Sequence, residues 1–398
     1  MKKEDIRNLQ VVVIDDARPG MKLGSPVYNR NGLKMLDAGA EMKDADQIER
    51  LREQGVRKIL VDIGGGAAEL PEQRAMPLVG PPVEQTPAEF VTELKEELVV
   101  ARRVYEAAGK VIEDLMTDVR MGKNINSQAI IDTSRDLVAS VLRNPNALLG
   151  LASLKRLDEY TFTHSVNVAS ISVAVARHLN LEPYLIELIG VGALMHDVGK
   201  ARIPMNIINK PGGLTPEEFE TVKSHPVMGV DICLAEQFQD SLVLDIVQHH
   251  HEAYDGSGYP EGLDNTRISK YASIVSIADY YDALTTVRSY KKKISPPEAV
   301  SIINATANIK FDRRLVFHFI KVLGIYPVGS IVKLASGRIA MVVGFFAEDL
   351  LNPLLKVLVN DNQTVNRDKE VLALKDMEDN IVELNTDFRF MSKIEDII

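Results

Sequence analysis

The sequence predicts a multidomain, mainly α protein: a helical bundle flanked by a small N-terminal α+β module and a small C-terminal β-rich domain. Three observations lead there. At 398 residues the chain exceeds what one compact core organises. Hydrophobic periodicity is helical almost without break from Ala88 to about Leu323. On both sides it gives way to short β-like runs separated by turn residues.

Taken in order, Val11–Ile14 and Ile59–Ile63 read as strands, Asn29 to Gly32 as a turn and Asp44–Glu53 as a helix, so residues 1–66 form the α+β module. The glycines Gly64, Gly65 and Gly66 and the proline-rich stretch Pro71–Pro87 cannot bury enough apolar surface to hold one conformation, which makes 67–87 a linker. Residues 88–150 form a helical connector. Its Phe90, Leu94, Leu98, Val99, Ala101 and Val104 recur at helical spacing, a stripe that could lengthen the bundle or pair with a second copy in a homodimer. The main helical block follows at 151–325. In 326–398 the strands Ile331–Leu334, Ile339–Val343, Lys356–Val359 and Thr364–Val365, with a turn at Ser336 and Gly337, predict a small barrel or sandwich without active-site chemistry.

Composition narrows the function. With 45% hydrophobic and 26% charged residues the chain is folded, and no run approaches the ~18 apolar residues of a membrane span, so a soluble, cytoplasmic protein is expected. The single cysteine, Cys233, excludes an internal disulfide and cysteine-based zinc sites, so any metal must sit on histidine and carboxylate. A net charge of -10 argues against a nucleic-acid polymer as partner, which would call for a broad basic face.

The histidines mark the chemistry. His196 and Asp197 close an apolar helix predicted over Tyr184–Val198, with Lys200 on the face of His196, so one helix offers imidazole, carboxylate and ammonium to one cavity. A carboxylate can bridge two metal ions for in-line attack on phosphorus; the same residues would also serve as a plain helix C-cap. His164 opens a helix running to Leu179, a position where a core histidine is the commoner finding. Thr215, Pro216 and Glu218 form a capping box that starts a helix, predicted to deliver His225 at its C-terminal end beside Pro226. His249, His250, His251 and Glu252 precede the glycine-rich Asp255–Pro260, a grouping that no buried apolar stripe explains. Asp279 and Asp282 stand three apart in an otherwise apolar helix and must face cations or water. The basic run Arg288–Lys293 suits a phosphate clamp, or a solvated charge run.

This succession of motifs resembles the HD-GYP family of bacterial phosphodiesterases, a branch of the HD superfamily of metal-dependent phosphohydrolases. The similarity covers about Leu151 to Leu323. Residues 1–63, with Arg18-Pro19-Gly20-Met21, resemble a small module of unknown function found ahead of such domains. The resemblance implies an all-α HD-type catalytic bundle that hydrolyses cyclic di-GMP to linear pGpG, and further to GMP in some members. It implies one metal on His164, His196, Asp197 and Asp279 and a second on Asp197, His225, His250 and His251, with Asp197 bridging. Oxygen and imidazole donors suit iron or manganese, with zinc also compatible. A hydroxide held between two such ions is a strong nucleophile at neutral pH, and Lys200 would donate to it or to the phosphate. Arg288 and Lys291 would grip phosphate or guanine, Gly258, Tyr259 and Pro260 would shape the pocket, and Asp282 would contact a base edge. His249 would stand behind the ligands or apart from them, and His178 and His318 are structural.

Two other readings remain: a non-catalytic cyclic-dinucleotide sensor, and an HD-type hydrolase of another nucleotide. Every two-metal position is filled, which favours the enzyme over the sensor. Family members that hold a third ion place a glutamate four residues before the first histidine ligand, where this chain has Tyr160. A phenol with an ordinary pKa of ~10 is a weak ligand, so two ions are expected, with hydrolysis stopping at pGpG.

Overall fold

The computed structural model describes residues 9–62, 86–153, 160–286 and 294–384, apart from 24–26, 29–33, 38, 55, 57, 237, 239, 347–348, 363 and 367–369. The N-terminal module has strands β1 (Leu9–Val13), β2 (Lys22–Leu23), β3 (Val27–Tyr28), β4 (Lys34–Leu36) and β5 (Lys58–Asp62), with helix α1 (Ala45–Glu53) before β5. β5 lies between β1 and β2, antiparallel to both, and β3 pairs with β4. Alternate residues of β5, Ile59 and Val61, join Ile48 and Leu51 of α1 in a core of their own. Gly20 takes a positive φ after Pro19, as the third position of a type II turn requires.

Helices α2 (Pro87–Arg120), α3 (Ser127–Arg143) and α4 (Pro145–Ser153) precede the block that carries the histidines. α2 begins with a reciprocal capping box between Thr86 and Glu89 and has Pro87 in its first turn. The stretch 88–150, expected as a connector, is packed into the bundle. Leu94, Leu98, Ala101, Ala108 and Ile112 of α2 lie in one continuous core with the later helices. A buried Glu97 accepts from Arg143 and from Ser140 Oγ, tying α2 to α3.

The rest of the bundle comprises α5 (Tyr160–His178), α6 (Pro183–Met195), a 3-10 helix (Val198–Arg202), α7 (Met205–Ile208), α8 (Pro216–Lys223), α9 (His225–Ala235), α10 (Ser241–His249), α11 (Lys270–Thr285), α12 (Pro296–Ala305) and α13 (Arg313–Leu323). Two boundaries differ from the sequence expectation. α6 stops at Met195, so His196 and Asp197 sit at a junction of helices and not within one. α8 stops at Lys223, and His225 is the first residue of α9. Both breaks meet at one contact: a Cβ on Gly199 would lie 1.9 Å from the His225 carbonyl oxygen, so only glycine lets the 3-10 turn reach the start of α9.

The C-terminal region is an open antiparallel sheet, not a closed barrel, in the order β10 (Ile381–Leu384), β6 (Ile331–Leu334), β7 (Ile339–Phe346), β8 (Asp349–Val359), β9 (Val371–Ala373). Residues 364–365, expected as a strand, contribute only an isolated bridge from Val365 to Val359. β7 is buried on both faces: Met341, Val343 and Phe345 face the helical core, and Ala340 and Val342 face a smaller second core. Among the described residues no helix is long and apolar enough to cross a membrane.

Candidate metal centre

Five histidines converge at one end of the bundle, and three of them arrive by the same local device. His196, His225 and His250 each lie just beyond the last turn of a helix, where carbonyls lack intrahelical partners. His196 Nδ1 donates to Ala193 O (2.7 Å), His225 Nδ1 to Val222 O (2.8 Å) and His250 Nδ1 to Val247 O (3.0 Å). A carbonyl only accepts, so each Nδ1 carries the hydrogen and each Nε2 turns a lone pair inward. At His196 one ring nitrogen thus serves the helix end, and the opposite nitrogen is left facing the other donors.

His164 is anchored differently. It lies in the first turns of α5, where no carbonyl is spare, and its Nδ1 donates to Asp282 Oδ2 at 2.7 Å. Its Nε2 faces Asp279 Oδ1 at 3.1 Å and Asp197 Oδ2 at 3.6 Å. Asp197 divides its oxygens. Oδ2 is 3.4 Å from His196 Nε2, while Oδ1 is 3.3 Å from His225 Nε2 and 3.9 Å from His250 Nε2. Lys200, one 3-10 turn on, donates to Asp197 Oδ2 at 2.6 Å. His251 brings Nδ1 to 3.8 Å from Asp279 Oδ2.

These donors form two groups, His164, His196 and Asp197 in one and Asp197, His225, His250 and His251 in the other, with all donor atoms of a group within 4.8 Å of one another. Asp279 faces both, Oδ1 toward His164 and Oδ2 toward His251. Two observations show that cations fit here. His196 Nε2 and Asp197 Oδ1 are buried without a hydrogen-bond partner, a costly state for polar atoms. His225 Nε2 and His250 Nε2 stand 3.2 Å apart with both lone pairs turned toward each other, an arrangement that repels unless positive charge lies beside it.

The electrostatics agree with that reading. Burial would raise Asp197, but Lys200 and the His196 and His225 imidazoles hold it well below the usual carboxylate range. Burial pushes His251 down to about 3 and His250 well below its ordinary value, so both are neutral donors. Burial lowers His164 as well, but the Asp279 and Asp282 carboxylates outweigh it and bring it up to about 9. Tyr259 is raised by burial and by Asp197 and Asp279, which keeps its phenol protonated.

The loop after the paired histidines is held as a unit. The buried Glu252 accepts from the Glu261 N–H (2.7 Å) and the Leu263 N–H (2.9 Å). Gly258 passes so close that a Cβ would lie 2.4 Å from Glu252 Cα. The Tyr259 ring rests 4.7 Å from that of His251, and Tyr259 is joined to Pro260 by a cis peptide. His249 belongs to neither donor group: its Nδ1 is 2.8 Å from Asp245 Oδ1 and its Nε2 3.4 Å from Glu261 Oε1, which pins the loop from behind. His178 and His318 face each other at 3.3 Å, linking α5 to α13 outside the centre.

One assignment is corrected. Asp282, expected at a base edge, is buried at 1% exposure and spends its oxygens on His164, Asn167 Nδ2 and Thr286 Oγ1. Helical spacing indicates direction, not depth, and this carboxylate points into the bundle. Arg288 and Lys291 fall outside the described residues, as does the Tyr160 side chain. Sequence reasoning assigned no role to Glu252 or Asn167. The signal for Asn167 was its place three residues after His164, on the same helical face.

Known proteins carry the same pattern. The HD domain family matches residues 140–315, and a domain of unknown function matches 34–130, further along the chain than the expected 1–63 and into α2. A cyclic di-GMP phosphodiesterase of Pseudomonas aeruginosa is 36% identical over 379 residues, covering 94% of this chain and 89% of that protein. One from Thermotoga maritima is 36% identical over 177 residues, covering 43% of this chain and 48% of its own. A 3'3'-cGAMP-specific phosphodiesterase of Vibrio cholerae is 34% identical over 145 residues, covering 36% and 33%. With the HD match lying over the convergent histidines and similarity running through nearly the whole Pseudomonas protein, this chain belongs to the HD-domain cyclic di-GMP phosphodiesterases.

Proposed function

We propose that this enzyme opens cyclic di-GMP to linear pGpG with two divalent ions, iron or manganese by donor type, zinc being compatible as well. Asp197 carries the reading: one carboxylate turns each oxygen toward a different set of imidazoles, the disposition a shared ligand needs. Ions held by the two groups would supply activated water and charge neutralisation at phosphorus. The first would take His164, His196, Asp197 and Asp279, the second Asp197, His225, His250 and His251.

The protein's own groups do the rest. Lys200 fixes Asp197 and sets a positive charge beside it at the partly exposed side of the centre, where a phosphodiester anion is stabilised. Tyr259 offers a protonated hydroxyl at the rim, and Gly258 and Pro260 shape the loop around it. Arg288 and Lys291 supply the cations that hold an anionic dinucleotide in an acidic chain. Tyr160 in place of a carboxylate argues for two ions and for release of pGpG.

The test is product chromatography with metal-reconstituted protein on cyclic di-GMP, 3'3'-cGAMP, cyclic di-AMP and guanosine tetraphosphate, alongside metal analysis. Consumption of cyclic di-GMP with pGpG accumulating, at two ions per chain, is expected. Binding without turnover would make the protein a sensor. Turnover of another nucleotide alone would move the substrate assignment, and three ions per chain would refute the argument from Tyr160.

A further inference from the structure

A buried chain of hydrogen bonds runs from α2 to His164. Tyr105 Oη donates to Asn167 Oδ1 at 2.5 Å, Asn167 Nδ2 donates to Asp282 Oδ1 at 2.9 Å, and Asp282 Oδ2 accepts from His164 Nδ1 at 2.7 Å. Asn167 and Asp282 are each 1% exposed. The links come from three helices, α2, α5 and α11, and Tyr105 and Asn167 are 62 residues apart in sequence.

We propose that Tyr105 is a positioning residue for the metal ligand His164, an inference that rests on the two-ion reading above. The polarity of the chain carries the argument. A carboxylate only accepts, so Asn167 must present its amide N–H to Asp282 and is left with its oxygen on the far side. Buried there, that oxygen needs a donor, and the Tyr105 hydroxyl supplies it. With the amide held that way round, Asp282 keeps one oxygen for His164 Nδ1–H, with Thr286 Oγ1 beside it at 3.2 Å. The ring is then locked with Nε2 facing Asp197 and Asp279. Without the phenol, the buried Asn167 oxygen loses its donor, and an amide tethered only through Nδ2 can shift toward another donor, which loosens its hold on Asp282. Outer partners of metal-bound histidines commonly govern affinity. Here the outermost partner lies within the match to the domain of unknown function, residues 34–130, and outside the HD match at 140–315. The centre thus borrows a positioning group from the neighbouring segment.

The experiment uses the full chain stripped of metal by chelation and titrated with Mn(II), free ion being read by electron paramagnetic resonance, with thermal unfolding of the apo-protein in parallel. Tyr105→Phe keeps the ring and removes only the hydroxyl. It should weaken one of the two ions about fivefold and leave the other unchanged, while the apo-protein stays folded with a melting point lower by only about 2–6 °C. Asn167→Ala should weaken the same ion, about tenfold. In a His164→Ala background Tyr105→Phe should cost nothing further. Wild-type affinity for both ions in Tyr105→Phe overturns the proposal, as does a loss that persists without His164, which would mark a general loosening. A wild-type chain that takes up neither Mn(II) nor, in parallel titrations, Fe(II) or Zn(II) overturns it together with the two-ion reading. The titration contains no nucleotide, so a chain that shows the expected pattern and leaves every cyclic dinucleotide intact refutes the phosphodiesterase reading and leaves the role of Tyr105 standing.

Discussion

His196, His225 and His250 on one side, and His164 on the other, reach the same centre by different anchors. The first three borrow main-chain carbonyls at helix ends, groups that no point substitution removes. His164 depends on a side chain, Asp282, which itself needs two more residues in place. Carbonyl anchoring makes a ligand a by-product of helix termination, robust but fixed. Carboxylate anchoring adds negative charge behind the ring, which together with Asp279 in front raises its basicity, at the cost of depending on distant residues.

The largest effect should come from the group that serves both sets. Asp197→Ala should remove both ions together and abolish hydrolysis, by elemental analysis and turnover. Lys200→Ala should keep both ions while lowering kcat on the order of 10²-fold. An Asp197→Ala protein that retains two ions and activity would end the comparison, because the two halves would then be independent.

A smaller effect separates the anchors. Asp282→Asn should weaken the His164 ion about tenfold, whereas Val222→Ala should leave Mn(II) affinity within about twofold, since the carbonyl behind His225 stays where it is. Equal losses in the two variants would show that anchor type does not matter.

Smallest for the metals, though not for the substrate, is Gly258→Ala. The added methyl meets the Glu252 backbone, and displacing the loop should cost about 1–3 kcal/mol of stability and raise KM with metal content unchanged. Loss of metal in this variant would mean that the loop is part of the ligand scaffold and not a wall set against it.

This comparison also explains what could be read in advance. Ligands at helix ends announce themselves, because the breaks carry signals: the glycine at Gly199, the proline at Pro226, the capping box at Thr215. The exact junctions did not, since stopping α6 at Met195 and starting α9 at His225 depends on the contact between Gly199 and the His225 carbonyl, which is long-range. Asp282 was legible as a carboxylate needing a partner but was placed at the wrong depth. Tyr105 could not be found from spacing, as nothing near it in sequence belongs to the centre. The β-rich tail was legible as strands, but the sheet's two buried faces follow from α2 packing on one of them.

At the start of α2, the Phe90 ring fills the notch above Gly344 of β7, where a Cβ would lie 2.2 Å from its Cζ, and it meets Phe346 edge-on with centroids 5.9 Å apart. The tail therefore clamps one end of the rod whose middle carries Tyr105. Anyone trimming this protein to a minimal hydrolase would cut at the borders of the HD match, and would discard both the clamp and the rod. Such a cut would open a core that is continuous from α2 through the histidine-bearing helices to one face of the sheet.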